Sequence, residues 1–172
     1  MLIRLACASD LPLLMALLRG VIPAMRASGN LQWDDLYPNE EVLGREIERQ
    51  QLWVAATYDG RIAGMAAITT DQEPEYAHLG WDTGEPAIVV HRLAVDAAHR
   101  GAGIASALMQ QAEVVARERG ISVLRVDTNT ENEGTRRLFP KLGYVLAGET
   151  TLGFRAGLRF LCYEKRLPGV GV

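Results

Sequence analysis

Leu93-Ala94-Val95-Asp96-Ala97-Ala98-His99-Arg100-Gly101-Ala102-Gly103-Ile104-Ala105 is the stretch on which the fold turns. A β-rich run over 87–95 ends at Asp96. A helical stripe of Ile104, Ala105, Leu108, Ala112, Val115 and Ala116 comes next, and Gly120 closes it. The reading is a buried strand, a short loop and a long amphipathic helix over 103–119. Gly101 and Gly103, with the small Ala102 and Ala105, admit a ligand close to the backbone. The first amides of a helix lack internal partners and carry partial positive charge, so they suit a phosphate. Arg100 adds a permanent cation with a planar donor fork.

Outward from this unit the chain alternates between helical and strand patterns. A short strand is expected over 1–6. Ser9-Asp10 then stands as a cap for a helix with Pro12 in its first turn and Leu11, Leu14, Met15, Leu17 and Leu18 along one stripe. A second helix is expected over 40–50. Strands at 52–58 and 61–70 flank Asp59-Gly60, a hairpin signal. Residues 71–86 read as a polar, loop-like insert. Beyond the central helix come a buried strand at 121–127 and a short helix at 132–141, interrupted by Pro140. Two strands, 144–149 and 158–165, complete the chain. The pattern is mixed α/β in a single domain over 1–172.

Three phosphate loops can be compared with the central turn. A Walker A loop needs Gly-Lys followed by Ser or Thr, which is absent. A dinucleotide fingerprint needs a third glycine where Ser106 stands. What remains is Arg-x-x-Gly-x-Ala at Arg100, Gly103 and Ala105, for which a plain strand-to-helix turn is the alternative. This pattern resembles the pyrophosphate-binding signature of the GNAT acetyltransferases. The resemblance extends from Val95-Asp96 through Asn132 to Gly143-Tyr144. The chain is also similar to a bacterial GNAT group of largely unassigned substrate at Gln32-Trp33, Tyr37-Pro38, Gly80-Trp81, His91-Arg92-Leu93-Ala94-Val95, Asp127-Thr128 and Tyr163-Glu164-Lys165. The resemblance implies the GNAT acyl-CoA N-acyltransferase fold, a mixed central sheet with splayed strands and flanking helices. It also implies acetyl-CoA as co-substrate and transfer of the acetyl group to an amine by direct attack in a ternary complex.

Residue by residue, the resemblance assigns main-chain bonds to the cofactor arm at Leu93, Ala94 and Val95, and diphosphate contacts at Arg100, Gly101, Ala102, Gly103, Ile104 and Ala105. Asn132 matches the family asparagine that contacts that arm; a helix cap is the other reading of the same residue. His91 is the preferred proton acceptor, because strand alternation places Val89, His91, Leu93 and Val95 on one face. A structural histidine is its alternative. Glu85 is a second candidate base, with a merely solvated loop carboxylate as the alternative. Phe139, by resemblance also a cofactor position, departs from the pattern: many GNAT enzymes carry a tyrosine there to protonate the departing thiolate. Tyr163 is a substitute donor, or simply a half-buried strand tyrosine. The missing hydroxyl also motivates a second reading, a non-catalytic acyl-CoA-binding or regulatory module on the same fold.

On the acceptor side, Trp33, Tyr37 and Trp81 are candidate aromatic walls, with core packing as the alternative. Acidic residues at 34, 35, 40, 41, 71, 73, 75, 82 and 85 suit a small-molecule or peptide amine, with solvated loops and a charged helix start as the alternative. His78, His91 and His99 with Cys7 and Cys162 form no zinc spacing, so no metal is expected, and Cys162 reads as a small core residue. A net charge of −3 argues against nucleic acid. Uninterrupted apolar runs are far shorter than the roughly 20 residues of a membrane-spanning helix, and the first residues do not resemble a signal peptide. Two cysteines make no disulfide framework. The expectation is a cytoplasmic protein with no membrane association, with a homodimer left open.

Overall fold

Apolar runs on either side of Asp59-Gly60 form the expected hairpin. β2 (Leu52–Ala56) and β3 (Ile62–Thr69) pair antiparallel from Leu52↔Ala67 to Ala56↔Ile62. Gly60 takes φ +83°, and Thr57 N–H donates to Arg61 O at 2.9 Å across the turn. β1 (Leu2–Leu5) pairs antiparallel with β2. The computed structural model describes residues 1–170. Further strands are β4 (Ala87–Val95), β5 (Val123–Asn129), β6 (Val145–Thr150) and β7 (Phe160–Arg166). The hydrogen-bonded order is β1-β2-β3-β4-β5-β7-β6. β4 and β5 run parallel, while β5–β7 and β6–β7 are antiparallel, so the sheet is mixed as expected.

Cα proximity divides the chain into two compact units, Met1–Ile68 with His91–Gln111, and Thr69–Val90 with the residues from Ala112 on. In the first, α1 (Leu11–Ala27) and α2 (Glu40–Glu48) cover β2 and β3. Leu14, Leu17, Leu18, Val21 and Ile22 of α1 are buried in one cluster with Leu43, Leu52, Val54 and Met65. Residues 8–27 have the length and apolar composition of a membrane-crossing helix, which uninterrupted runs alone did not reveal. About a third of that window is buried, its stripe packed in the cluster. α2 stops at Glu48, short of the expected 50, because Gln50 turns left-handed at φ +55° and Gln51 N–H returns to Glu46 O.

The helix cap expected at Ser9-Asp10 is built differently. Residues 8–10 form a short turn of 3-10 helix, and Asp10 makes no side-chain cap bond to α1. Its carboxylate turns back to accept from Cys7 N at 2.8 Å and from Arg4 at 2.7 and 2.9 Å.

β3 is buried along its whole length, and its small residues permit close approach. A Cβ at Gly64 would lie 2.7 Å from Ile104 Cγ2 and 3.0 Å from Ala94 O. Ile104 opens α3 (Ile104–Glu118), so this glycine sets how near that helix comes to the strand.

In the second unit Tyr76, Val89, Leu152, Phe160 and Cys162 form a buried cluster. The insert at 71–86 is more ordered than its polarity suggests. Pro74–Leu79 is 3-10 helix, and Tyr76 within it is wholly buried, donating to Asp127 Oδ2 at 2.5 Å. The strand expected from 121 begins at Val123, because the N–H of Ile121 closes the end of α3 on Ala116 O at 2.9 Å. α4 (Glu133–Lys141) continues one residue past Pro140. Cys7 and Cys162 are both free thiols.

Packing and charge in the first unit make two quantities measurable. Gly64→Ala destabilises by about 1–3 kcal/mol, since backbone at Ala94 cannot yield as a side chain can; urea unfolding measures it. The pairing with Arg4 lowers the Asp10 carboxyl to about 2 from an ordinary 3.8. Its contribution is therefore complete above about pH 5 and is lost as pH falls through 2, amounting to about 1–2 kcal/mol after screening at the partly exposed Arg4. Asp10→Asn removes that part of the acid limb when unfolding is compared at pH 7 and pH 3.

Candidate functional site

Asp96 ends β4 and organises the turn into α3. Its N–H donates to Ala63 O at 2.9 Å, and its carboxylate accepts from Ala98 N at 3.1 Å, capping a single 3-10 turn over Ala97–His99. His99 Nδ1 lies 3.3 Å from the other carboxylate oxygen. Ala102 N–H then donates to His99 O at 3.2 Å, and the first hydrogen bond into α3 is Ala107 N–H to Gly103 O at 2.9 Å. The amides of Ile104, Ala105 and Ser106 precede that bond and are ones a helix leaves without an internal acceptor.

Gly101 and Gly103 both take left-handed conformations, φ +82° and +78°, and a Cβ at either would meet no atom within 4 Å. Their need for glycine is conformational, and the space in front of them is open. Arg100, Gly101, Ala102 and Gly103 lie toward the surface while Ile104 is buried, so the loop presents backbone outward and the helix anchors inward. Such an arrangement fits a diphosphate.

Main-chain direction along β4 is set by the same Asp96 bond. Asp96 points its N–H to β3, and alternation along a strand turns the N–H and C=O of Val95, and of Leu93 before it, to the opposite edge. The parallel pairing of β4 with β5 runs from Ala87↔Val123 to Val90↔Val126.

One expectation about β4 needs correction. Arg92 has φ +53°, so strict alternation does not pass from His91 to Leu93, and the two cannot be placed on one face by counting. His91 is half-buried. The Arg92 guanidinium pairs with Glu46 of α2 and donates to the Tyr37 hydroxyl at 2.7 Å. Sequence reading missed Glu46, which carried no motif.

Other expected site residues fall at varied depths. Trp33 is 3% exposed inside the first unit's core, enclosed by apolar side chains, and so does not form a wall open to a ligand. Tyr37 is partly buried against that core. In the second unit Trp81 stacks beneath the guanidinium of Arg125 at 4.7 Å and meets Tyr76 edge-on at 5.1 Å. Arg125, wholly buried, donates to Glu164 at 3.0 Å and to Asp82 O at 3.1 Å, and also bonds Gln72. Glu85 lies 3.5 Å from this guanidinium and accepts two bonds from Arg166 at 2.9 and 2.8 Å. The Arg166 bonds hold the Glu85 carboxyl below its ordinary value. A carboxylate between two guanidinium groups holds a proton weakly.

Asn132 caps α4, its side chain accepting from Thr135 N at 3.2 Å. Phe139 is buried, with Tyr163 edge-on at 5.4 Å and Tyr144 at 6.0 Å. Burial pushes the Tyr163 phenol up, which weakens it as a proton donor. Among the described residues, no three His, Cys, Asp or Glu side chains gather to hold a metal ion.

Gly103→Ala isolates the conformational demand of the loop: with open space around it, the cost is about 1 kcal/mol of left-handed strain. In urea unfolding it falls below the cost of Gly64→Ala.

Comparison with known proteins agrees with this geometry. The model of the acetyltransferase (GNAT) family matches residues 21–144. N-acetyltransferase 8F1 of Rattus norvegicus is 28% identical over 118 residues, covering 69% of this chain and 46% of that protein, so the match spans about half the relative's length. A GNAT-family acetyltransferase structure from Streptococcus agalactiae 2603 has a TM-score of 0.80 at 27% identity, covering 96% of this chain and 94% of that one. PaiA N-acetyltransferase from Thermoplasma acidophilum, in complex with coenzyme A, has a TM-score of 0.72 at 19% identity, covering 96% and 98%, a likeness of fold. A strand that ends in a left-handed glycine turn, a helix that opens behind Arg100 and a family match across most of the chain lead to one conclusion: this protein belongs to the GNAT family of acetyltransferases.

Proposed function

We propose that the chain transfers the acetyl group of acetyl-CoA to an amine by direct attack in a ternary complex. The observation that carries this reading is the pair of left-handed glycines, Gly101 and Gly103, leading into the first amides of α3 beside Arg100. Those amides and the guanidinium hold the diphosphate. The outward main-chain groups of Leu93 and Val95 orient the rest of the co-substrate, and an N–H of this strand donates to the oxygen that gains charge as the amine attacks. Asn132 and Phe139 carry the resemblance's remaining cofactor positions.

A lysine-like amine with a pKa of about 10.4 is almost wholly protonated near neutral pH, and deprotonation there costs about 4–5 kcal/mol. His91 accepts that proton, directly or through water. Glu85 is not the base, because its two guanidinium partners lower its affinity for a proton. The chain supplies no hydroxyl at Phe139, and a thiol of pKa about 8.5 leaves tolerably without a donor. The acceptor class is a small-molecule or peptide amine. Phe139 favours the second reading, an acyl-CoA-binding module without turnover, which binds coenzyme A and stays silent with every amine.

Thiol release across an amine panel separates the two readings. Amine-dependent release is expected, with His91→Ala lowering kcat at least a hundredfold, Glu85→Gln lowering it less than about threefold, and neither shifting coenzyme A affinity by more than a few-fold. Replacing Gly103 by valine abolishes coenzyme A binding in titration calorimetry. Full activity in His91→Ala, or undiminished binding in Gly103→Val, sinks the assignment.

A further inference from the structure

Among the described residues, Arg92 and Gln50 are the two other than glycine whose backbone turns left-handed, and Gln50 merely closes a helix. Arg92 does so inside a strand, at φ +53°. Such a conformation strains any L residue and persists only where the surroundings impose it. The Arg92 guanidinium meets the Glu46 carboxylate and the Tyr37 hydroxyl. The Arg92 and Glu46 side chains are 16% and 8% exposed, so each charge depends on the other in a poorly solvated place.

The cluster is not built for stability alone. Glu46 Oε2 and Arg92 Nε are both buried without a hydrogen-bond partner. Apolar side chains of similar volume would fill the same space without that deficit and without the desolvation of two charges. A strained backbone, a buried ion pair and two orphaned polar atoms therefore coincide at one point. That point lies between His91 and Leu93.

We infer that Tyr37, Glu46 and Arg92 form a clamp that imposes the left-handed turn within β4 and thereby sets the direction of the His91 imidazole relative to the main-chain groups of Leu93 and Val95. All three are positioning residues that act through the strand. Were residue 92 in ordinary β conformation, His91 would share a face with the side chains of Leu93 and Val95; the turn takes it out of that register. The role of the clamp in turnover rests on the proposed function, with His91 as base and β4 as the co-substrate's main-chain partner.

Four variants test it: Glu46→Gln, Tyr37→Phe, Arg92→Lys and Arg92→Gly. Glycine takes φ +53° freely but has no guanidinium, whereas lysine keeps a cation for Glu46. Expected in Glu46→Gln is roughly a tenfold or greater fall in kcat at saturating amine, with less than about a threefold change in coenzyme A Kd. Arg92→Lys recovers part of what Arg92→Gly loses. Amide hydrogen exchange over 91–95 rises about tenfold or more in Glu46→Gln while 52–69 keeps its protection. Unchanged kcat in a folded Glu46→Gln protein, or exchange that rises equally over 52–69, overturns the clamp. If Arg92→Gly does not fold, Glu46→Gln and Tyr37→Phe, which remove only a charge or a hydroxyl, decide the matter. The exchange readout needs no turnover. A native chain that releases no thiol with any amine refutes the transfer reading, and the clamp then stands or falls on exchange over 91–95.

Discussion

The absence of a side chain at Gly64 is the constraint on which the first unit's geometry hangs. It lets Ile104 and the main chain at Ala94 press against β3 at distances that no Cβ would tolerate. One strand end and one helix start are thereby pinned to the same strand. The residues from Asp96 to Gly103 must connect them within that span. They do so with one 3-10 turn capped by Asp96 and two left-handed glycines. The loop is thus a consequence of packing beneath it, and its outward amides are what remains after the packing has been satisfied.

The two kinds of glycine in this region do different work. At Gly64 the demand is steric, and the neighbours within 3.0 Å leave no room for even a methyl group. At Gly101 and Gly103 nothing lies within 4 Å, and the demand is for a positive φ. Open space in front of a left-handed backbone is what an anion at a helix start requires, since the ligand takes the place a side chain would occupy.

Much of this was legible from residue order. Periodicity located the strand over 87–95 to the residue, and the helix after it to within one position at each end. The Asp59-Gly60 turn was legible because a two-residue signal acts locally. What escaped were features that depend on distant partners. Tyr76 lies in a stretch polar enough to read as loop, yet its ring is covered by Phe160 and Leu152, which are far along the chain. Arg125 sits inside a strand that reads as buried, and Glu164, Gln72, Asp82, Glu85 and Trp81 from elsewhere make that burial tolerable. Trp33 looked equally suited to a wall or a core, and packing put it in the core.

Residue order by itself determined the family, the strand-loop-helix unit and the demand for glycine at 101 and 103, because each rests on chemistry between near neighbours in the chain. Only the tertiary structure decided which carboxylates are spoken for and where β4 departs from alternation. Glu85 lies between Arg125 and Arg166, one about forty residues away and the other about eighty. Arg92 turned left-handed with Glu46 and Tyr37 on its guanidinium, both from a different part of the chain. Ion pairs and backbone strain are settled by which groups folding brings within a few ångströms, and spacing along the chain does not encode that distance.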